Sequence, residues 1–192
     1  MPFDDTHSIS DDALVALYAQ GDERAARLLA ARLMPRVLSF ATRMLGDRAE
    51  AEDVTQEAML RLWRAAPGWQ EGAAKVSTWV FKVAANLCTD RLRKKRGVGL
   101  DTIAEPEDPA PSVAQTMDEA TRAQALSEAL ENLPDRQRQA VVLRHIEGLT
   151  NPEIAEVMDI SVEAVESLTA RGKRSLSARL LPRKEELGQS DE

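Results

Sequence analysis

The chain has little of what secreted, membrane-bound and catalytic proteins depend on. Its one cysteine, Cys88, excludes an internal disulfide and suits a reducing compartment. No run of about 18 apolar residues is present, so we expect no membrane span. The acidic start MPFDDTHSISDD has no apolar core, so we expect it not to act as a secretory signal. We therefore expect a soluble, cytoplasmic protein.

Signatures of catalysis are also missing. His7 and His145 are isolated, Cys88 has no histidine near it in the sequence, and no glycine-rich phosphate loop occurs. Asp53 and Glu57 form a carboxylate pair without a metal-binding histidine. We expect no enzyme activity, no metal and no cofactor.

Helix-forming residues make up much of what is present. Ala, Leu, Arg and Glu dominate the 192 residues while aromatics make up only 4%, which favours packed helices over sheets. Residues 97–120 hold two Gly, three Pro and six acids but no Lys or Arg, the composition of a linker. The predicted fold is all-α, with two small helical domains at 1–96 and 121–182, this acidic linker between them, and a tail at 183–192.

Basic residues are clustered although the net charge is −7. Residues 1–96 hold 15 Lys and Arg against 13 Asp and Glu, and the run from Arg91 to Arg96 is basic at five of six positions. A second cluster consists of Arg171, Lys173 and Arg174. Such local clusters are compatible with nucleic-acid binding even in an acidic chain.

Capping and breaking residues predict where the helices lie. The predicted helices are Asp11–Ala19, Asp22–Met44, Asp47–Ala66, Ser77–Arg96, Met117–Asn132, Asp135–Glu147 and two joined by a tight turn within 151–178. Pro35 is predicted to kink or divide the second of them.

The last two helices have the spacing of a helix-turn-helix. Ala155 offers a small side chain where they would cross, and Asp159 occupies the turn, where left-handed backbone is tolerated. Ser161 is the predicted N-cap of the second helix, and Val165 faces the core. Such a motif places its second helix in the major groove, although short helix pairs also occur in many all-α proteins.

Residues 75–96, KVSTWVFKVAANLCTDRLRKKR, carry two stripes at helical spacing. The apolar stripe consists of Val76, Val80, Val83, Ala84 and Leu87. The second consists of Trp79, Lys82, Asn86, Asp90 and Arg93. An aromatic plane, a cation and an amide on one rod suit unstacked bases, each worth roughly 1–3 kcal/mol in stacking. The alternative is a solvated helix whose last cations complement its dipole, with Trp79 in the core.

The third helix is also two-faced. The residues predicted to face inward are Ala51, Val54, Ala58, Leu62 and Ala65. Those predicted to face outward are Asp53, Gln56, Glu57, Leu60 and Arg64. An acid–amide–acid–leucine patch suits docking of an arginine-bearing helix, and the alternative is an ordinary salt-bridged face.

These stretches together resemble the extracytoplasmic-function sigma factors of bacterial RNA polymerase. AEDVTQEAMLRLWRA is similar to the helix that binds core polymerase, and STWVFKVAANLCTDRLRKKR to the reader of the −10 promoter element. LPDRQRQAVVLRHIEGLTNPEIAEVMDISVEAVESLTARGKRSL is similar to the −35 reader. The likeness covers roughly 10–96 and 120–180, which implies a region 2-like domain followed by a region 4-like domain. Gly172 departs from the family pattern, because it is expected to interrupt a helix that is usually unbroken.

The resemblance also implies residue roles. The polymerase-binding residues would be Asp53, Gln56, Glu57, Leu60 and Arg64, the first three meeting the clamp coiled coil of the β′ subunit. The residues binding −10 DNA would be Lys75, Trp79, Lys82, Asn86, Asp90, Arg91, Arg93 and Lys94. The 67–78 loop, together with Trp79, Lys82, Asn86 and Asp90, would capture a flipped base of the non-template −10 strand. The residues binding −35 DNA would be Ser161, Glu163, Ala164, Glu166, Ser167, Arg171, Lys173 and Arg174. The implied partners are core RNA polymerase through its β′ and β subunits, promoter DNA and an anti-sigma factor.

Two further hypotheses remain open from the sequence. A regulator using only its helix-turn-helix would bind DNA without polymerase and would leave residues 1–96 dispensable. A decoy that imitates a sigma factor and titrates an anti-sigma factor would have no need of the −10 face. Lys82 and Asn86 are nevertheless present on that face.

Overall fold

The computed structural model describes residues 9–70, 72, 74–98 and 116–181. Within them the chain is all-α, as predicted, and contains no strand. Its helices are α1 Asp11–Ala19, α2 Glu23–Leu45, α3 Arg48–Ala65, α4 Val76–Val98, α5 Thr116–Glu131, α6 Asp135–Val141, α7 Asn151–Met158 and α8 Val162–Leu180. A short 3₁₀ helix at Ala66–Gly68 follows α3, and a π-helical segment at Val142–Ile146 continues α6. His7, the predicted tail and most of the predicted linker lie outside the described residues.

Capping residues fix most helix ends close to the predicted positions. Asp22 and Asp47, predicted as first helical residues, are N-caps whose carboxylates accept backbone N–H groups. Gly46 ends α2 in the left-handed region, with φ 65°. Pro35 lies inside an undivided α2, so of its two predicted effects, a kink or a division, the division does not occur. The helix continues past it because Leu33 and Val37 on either side are fully buried.

Helix α4 runs further than predicted. It passes through Gly97 and reaches Val98, and α5 already begins at Thr116. Both ends of the predicted linker 97–120 are therefore helical. A glycine destabilises a helix by only about 1 kcal/mol relative to alanine. This penalty is too small to end α4, because the earlier turns of the helix are packed in the core.

The first four helices surround an apolar core. Leu29, Leu33 and Phe40 of α2 are fully buried. Phe40 meets Phe81 of α4 edge to face, with ring centroids 5.7 Å apart. This packing fixes α4 against α2 and so decides which side of α4 faces outward.

Helices α7 and α8 form the predicted helix-turn-helix. Asp159 joins them with φ 51° and ψ 51°, and Ile154 and Val165 are fully buried beneath the turn. Gly172 lies in an unbroken α8, so the predicted interruption is wrong. A Cβ at this position would lie 2.5 Å from Cγ2 of Val141, which shows that glycine is needed where α8 crosses α6.

The two halves of the chain pack against each other, which the sequence did not predict. Buried residues of α2, α3 and α4 and of α5 through α8 belong to one continuous cluster. Helix α7 lies against α4, and α5 and α6 lie against α2. Glu147 is 4% exposed at its side chain and accepts a 3.1 Å hydrogen bond from the Ser39 hydroxyl. Arg36 donates to the carbonyl oxygen of the same residue at 2.9 Å.

Candidate nucleic-acid interface

Helix α4 presents the predicted aromatic and polar stripe beside a buried one. Val76, Val80 and Ala84 are fully buried, while Asn86 and Asp90 are exposed. Val83 and Leu87, predicted for the apolar stripe, are half-buried against the core. The periodicity therefore identified the correct inner and outer faces of this helix.

Trp79 is half-buried and packs edge to face on Trp69, with ring centroids 5.7 Å apart and an interplanar angle of 83°. The indole Nε1–H of Trp69 is buried and has no hydrogen-bond partner among the described residues. Trp69 lies in the 67–78 loop, to which the family resemblance assigns base capture, but it is not among the individually named −10 residues. Its only sequence signal is an aromatic in the Gly-Trp-Gln-Glu-Gly loop just before α4. The pair forms an aromatic ledge at the start of the outward stripe.

The basic run at the end of α4 is paired with acids from its surroundings. Arg91 lies 3.9 Å from Asp53, and Lys95 lies 3.2 Å from Glu50. Arg96 is paired with Asp135 of α6. These solvent-accessible pairs are worth about 0–1 kcal/mol each, so a phosphate can replace the carboxylate at little cost.

Arg93 and Lys94 are the more available cations of this run. Arg93 has a 77% exposed side chain and lies 3.8 Å from Asp90 on its own helix. Lys94 is exposed, and among the described residues it has no ion pair.

Two other lysines of the predicted −10 set are already engaged. Nζ of Lys75 lies 2.7 Å from Oε1 of Glu153, and Nζ of Lys82 lies 2.7 Å from Oδ1 of Asp159. Both acids come from the helix-turn-helix, some 77 to 78 residues away. Pairings between residues so far apart in the chain have no local sequence signal.

Cys88 lies on the buried side of α4 and is fully buried. Burial raises the pKa of its thiol to about 12. The thiol therefore stays protonated at neutral pH and acts as a small apolar side chain.

The outward face of α3 has the predicted composition. Asp53, Gln56, Leu60 and Arg64 are exposed, and Leu60 is 47% exposed, unusual for a large apolar residue. Glu57 is half-buried and accepts a 2.8 Å hydrogen bond from Arg61, which lowers the pKa of its carboxyl. Of the predicted inward residues all are buried except Ala65, which is half-buried. The role of this face in polymerase binding stays a prediction.

The exposed side of α8 divides the predicted −35 residues into two groups. Glu163, Ala164, Ser167 and Arg171 line one shallow hollow of about 370 Å³. Arg174 follows Arg171 at a spacing of three, which keeps it on the same side. Arg136 of α6, absent from the predicted set, lines the hollow as well.

Glu166 and Lys173 do not line this hollow. At about 100° per residue they share a flank of α8 with each other and fall about 60° and 80° from Glu163, the hollow residue nearest to them. A contact of these two residues with the −35 duplex stays a prediction. Ser161 is the N-cap of α8, and its Oγ accepts the Ala164 N–H at 3.2 Å.

No helix of the described residues has the length and apolarity required to cross a bilayer. Among the same residues, no group of three or more His, Cys, Asp or Glu side chains is arranged to hold a metal ion.

Comparisons with known families identify both halves. The family model of Sigma-70 region 2 matches residues 29–98, and that of Sigma-70 region 4 matches residues 123–176. The first match holds α3 and α4, and the second holds the helix-turn-helix.

Curated relatives agree with these matches. The chain is 30% identical over 187 residues to the RNA polymerase sigma-H factor of Pseudomonas aeruginosa, covering 90% of this chain and 94% of that one. It is 32% identical over 159 residues to the ECF RNA polymerase sigma factor SigE of Mycolicibacterium smegmatis. That match covers 81% of this chain but 61% of the relative's length.

Solved structures have the same fold. CnrH in complex with the cytosolic domain of CnrY matches with a TM-score of 0.69 and 26% identity, covering 91% of this chain and 99% of that one. The sigma factor RpoE in complex with the anti-sigma factor NepR from Bartonella quintana matches with a TM-score of 0.65 and 21% identity, covering 79% and 94%.

The chain belongs to the extracytoplasmic-function sigma factors of bacterial RNA polymerase. The resemblance carried by its three sequence motifs is thereby confirmed.

Proposed function

We propose that the chain is a dissociable initiation factor that joins core RNA polymerase, reads two promoter elements and captures unpaired −10 bases to begin melting. The observation that carries this proposal is the outward side of α4. It aligns Trp79, Asn86 and the basic run along one rigid helix, with Trp69 of the preceding loop packed on Trp79. Such a combination stacks bases, bonds their edges and holds the backbone of a single strand.

Polymerase binding is assigned to the outward face of α3. Leu60 offers an apolar contact between the acids Asp53 and Glu57, a combination that suits a partner helix bearing arginines. We assign this contact to the β′ clamp, with the β subunit accommodating region 4.

Promoter duplex binding is assigned to α8. Its hollow is lined by Glu163, Ser167 and Arg171, which can accept or donate hydrogen bonds at base edges and phosphates. The proposed division of labour places region 2 at 1–96, a linker at 97–120, region 4 at 121–182 and a tail at 183–192.

The assigned roles involve binding only, and we propose that the chain performs no covalent chemistry. His145 is exposed and isolated from the buried Cys88, whose thiol is protonated. We place the chain in the cytoplasm, where its polymerase works. An anti-sigma factor is proposed as its inhibitor, because structures of the same fold include a complex with an anti-sigma factor.

Run-off transcription with purified core polymerase, with and without the chain, tests this function. New start sites should appear with the chain and should be lost with Trp79→Ala or Asn86→Ala. Gln124→Ala is the matched control, because it truncates an exposed amide on α5. Absence of stimulation by a folded chain would contradict the proposal.

One observation supports a second candidate, a helix-turn-helix regulator that acts without polymerase. The −35 face of α8 is exposed while part of the −10 face of α4 is covered. Sequence-specific duplex binding by the free chain, undiminished by Trp79→Ala, would favour this candidate.

A further inference from the structure

Two carboxylates of the helix-turn-helix meet the two lysines that lead the −10 face of α4. Lys75 and Lys82 are seven residues apart, which is about 10 Å along a helix. Glu153 in α7 contacts Lys75, and Asp159 at the end of α7 contacts Lys82, each at 2.7 Å. The acidic edge of α7, defined as Glu153 and Asp159, therefore lies along the stretch of α4 where strand phosphates are proposed to bind.

The contact at Glu153 is the more highly organised of the two. Its side chain is 19% exposed, and its Oε2 accepts the N–H and the hydroxyl of Thr150 at 2.8 Å each. Burial by itself would raise the pKa of Glu153, but the hydrogen bonds from Lys75 and Thr150 outweigh it and lower the pKa to about 2. The carboxylate is thus held charged and aimed at Lys75 by the capping box of α7.

Buried contacts behind this edge hold α7 in place. The side chain of Arg138 is 8% exposed and donates a 2.6 Å hydrogen bond to the carbonyl oxygen of Met44 in α2. Glu147, just before α7, is buried against Ser39 and Arg36 of the same helix. These contacts order the backbone on both sides of the interface, so the edge meets α4 as part of a packed surface.

We propose that the acidic edge of α7 occupies the single-strand-binding face of α4 in the free chain and competes with promoter DNA for Lys75 and Lys82. This inference rests on the proposed function, since it needs α4 to be the −10 reader. Region 4 then has two roles. Its helix α8 reads duplex DNA, and its helix α7 blocks the single-strand-binding face of α4 in region 2. Binding to polymerase would have to separate the two halves before a strand is captured.

Two substitutions remove the charges and keep the local backbone. Glu153→Gln preserves the capping box, because glutamine also serves at that position. Asp159→Asn keeps a residue that tolerates the left-handed conformation of the turn. Neither residue belongs to the proposed DNA-binding sets. Glu156→Gln is the matched control, because Glu156 is exposed on the same helix and, among the described residues, forms no ion pair with α4.

The experiment measures binding of a labelled single-stranded −10 oligonucleotide to the full-length free chain by fluorescence anisotropy. The Glu153→Gln, Asp159→Asn double variant should bind about tenfold more tightly than the unaltered chain, the gain expected from releasing two such ion pairs. Glu156→Gln should change affinity less than twofold. Equal gains in both variants, or no gain in the double variant, would overturn the inference.

Run-off transcription with the same preparations separates this inference from the proposed function. If the unaltered chain stimulates specific initiation but the double variant binds the strand no better, the proposed function stands and the covering role of α7 is wrong. If no preparation stimulates initiation, the proposed function itself fails.

Chemical cross-linking gives a second measurement. Thr42 of α2 and Ser127 of α5 line one hollow between the halves, and among the described residues both hydroxyls donate only to carbonyl groups of their own helices. Thr42→Cys, Ser127→Cys joined by a bis-maleimide should lose transcription, while the unlinked variant should retain it. Full activity of the linked chain would show that the halves need not separate. Cys88 is buried and protonated, so it does not compete for the reagent.

Discussion

The guanidinium of Arg138 donates a hydrogen bond to the carbonyl oxygen of Met44, 94 residues earlier in the chain. The same guanidinium reaches the carbonyl oxygens of Glu131 and Leu133, at 3.0 and 3.3 Å. One side chain of α6 therefore donates hydrogen bonds to carbonyl groups at the end of α2 and at the end of α5. Burial lowers the pKa of Arg138, but Asp135 at 3.5 Å supports its charge.

Arg138→Lys should destabilise the chain by about 1–3 kcal/mol, because a single ammonium cannot reproduce a fork that reaches three carbonyls. The free energy of unfolding in urea measures the loss. Arg24→Lys, at an exposed position, is the control and should leave the midpoint unchanged. Equal midpoints for the two variants would show that the fork contributes nothing.

Gly172→Ala should lower stability by about 1–3 kcal/mol, although alanine is the better helix former. Its Cβ would lie 2.5 Å from Cγ2 of Val141 and 3.3 Å from the carbonyl oxygen of Gln137. Gly97→Ala in α4 is the matched control, since no heavy atom lies within 4 Å of a Cβ there. Thermal unfolding should therefore move Tm down for Gly172→Ala and leave it equal or higher for Gly97→Ala. An unchanged Tm at Gly172 would mean that α6 and α8 separate freely.

Much of the local structure could be predicted from sequence. The N-cap Ser161 and the left-handed turn position Asp159 are short-range signals, and the structure has each in that role. The inner and outer faces of α3 and α4 followed from helical periodicity. Capping signals and periodicity can both be read from sequence because they involve residues only a few positions apart.

The remaining features depend on contacts between distant segments. Arg138 looked like one basic residue among many, yet its partners lie at the ends of other helices. Gly172 looked like a helix breaker because the sequence could not show Val141 beside it. The pairing of Lys82 with Asp159 joins residues 77 positions apart, which no periodicity reveals.

The stability contribution of Glu153 should depend on pH in a defined direction. Its pKa is lowered to about 2 in the folded chain, whereas an unfolded glutamate titrates near 4.3, so its contribution is complete above pH of about 4.3 and is lost as pH falls towards 2. Glu153→Gln should therefore cost up to about 2 kcal/mol at pH 7 and less at pH 3. Urea unfolding of both chains at the two pH values checks this. A difference that grows on acidification would contradict it.

Leu60→Ala should weaken binding to core polymerase by roughly tenfold with less than about 0.5 kcal/mol change in stability. Leu60 is 47% exposed on the face assigned to polymerase, so its apolar area is available to a partner. Met34→Ala on α2 is the control, because Met34 is similarly exposed at 39%. Competition binding to core polymerase measures the affinities of the two variants. Equal affinities would show that Leu60 does not contact polymerase.

Cys88 should resist thiol reagents in the folded chain. Its burial raises the pKa of the thiol to about 12, so very little thiolate exists at pH 8, and reaction should be more than about a hundredfold slower than in urea. The rate of modification by a chromogenic disulfide, with and without urea, measures this. Rapid reaction of the folded chain would show that the α4 core opens readily.

The acids that partner the basic run at the end of α4 determine how this surface responds to salt. A protein that meets DNA with unpaired cations displaces the ions condensed on the duplex, and its affinity falls steeply as ionic strength rises. Arg91, Lys95 and Arg96 each form an ion pair with a carboxylate of their own chain, which a bound phosphate would have to replace. Added salt would weaken those internal pairs as well as any pairs with phosphate. If region 2 binds DNA through this basic run as proposed, its affinity should therefore be less sensitive to ionic strength than its number of cations implies.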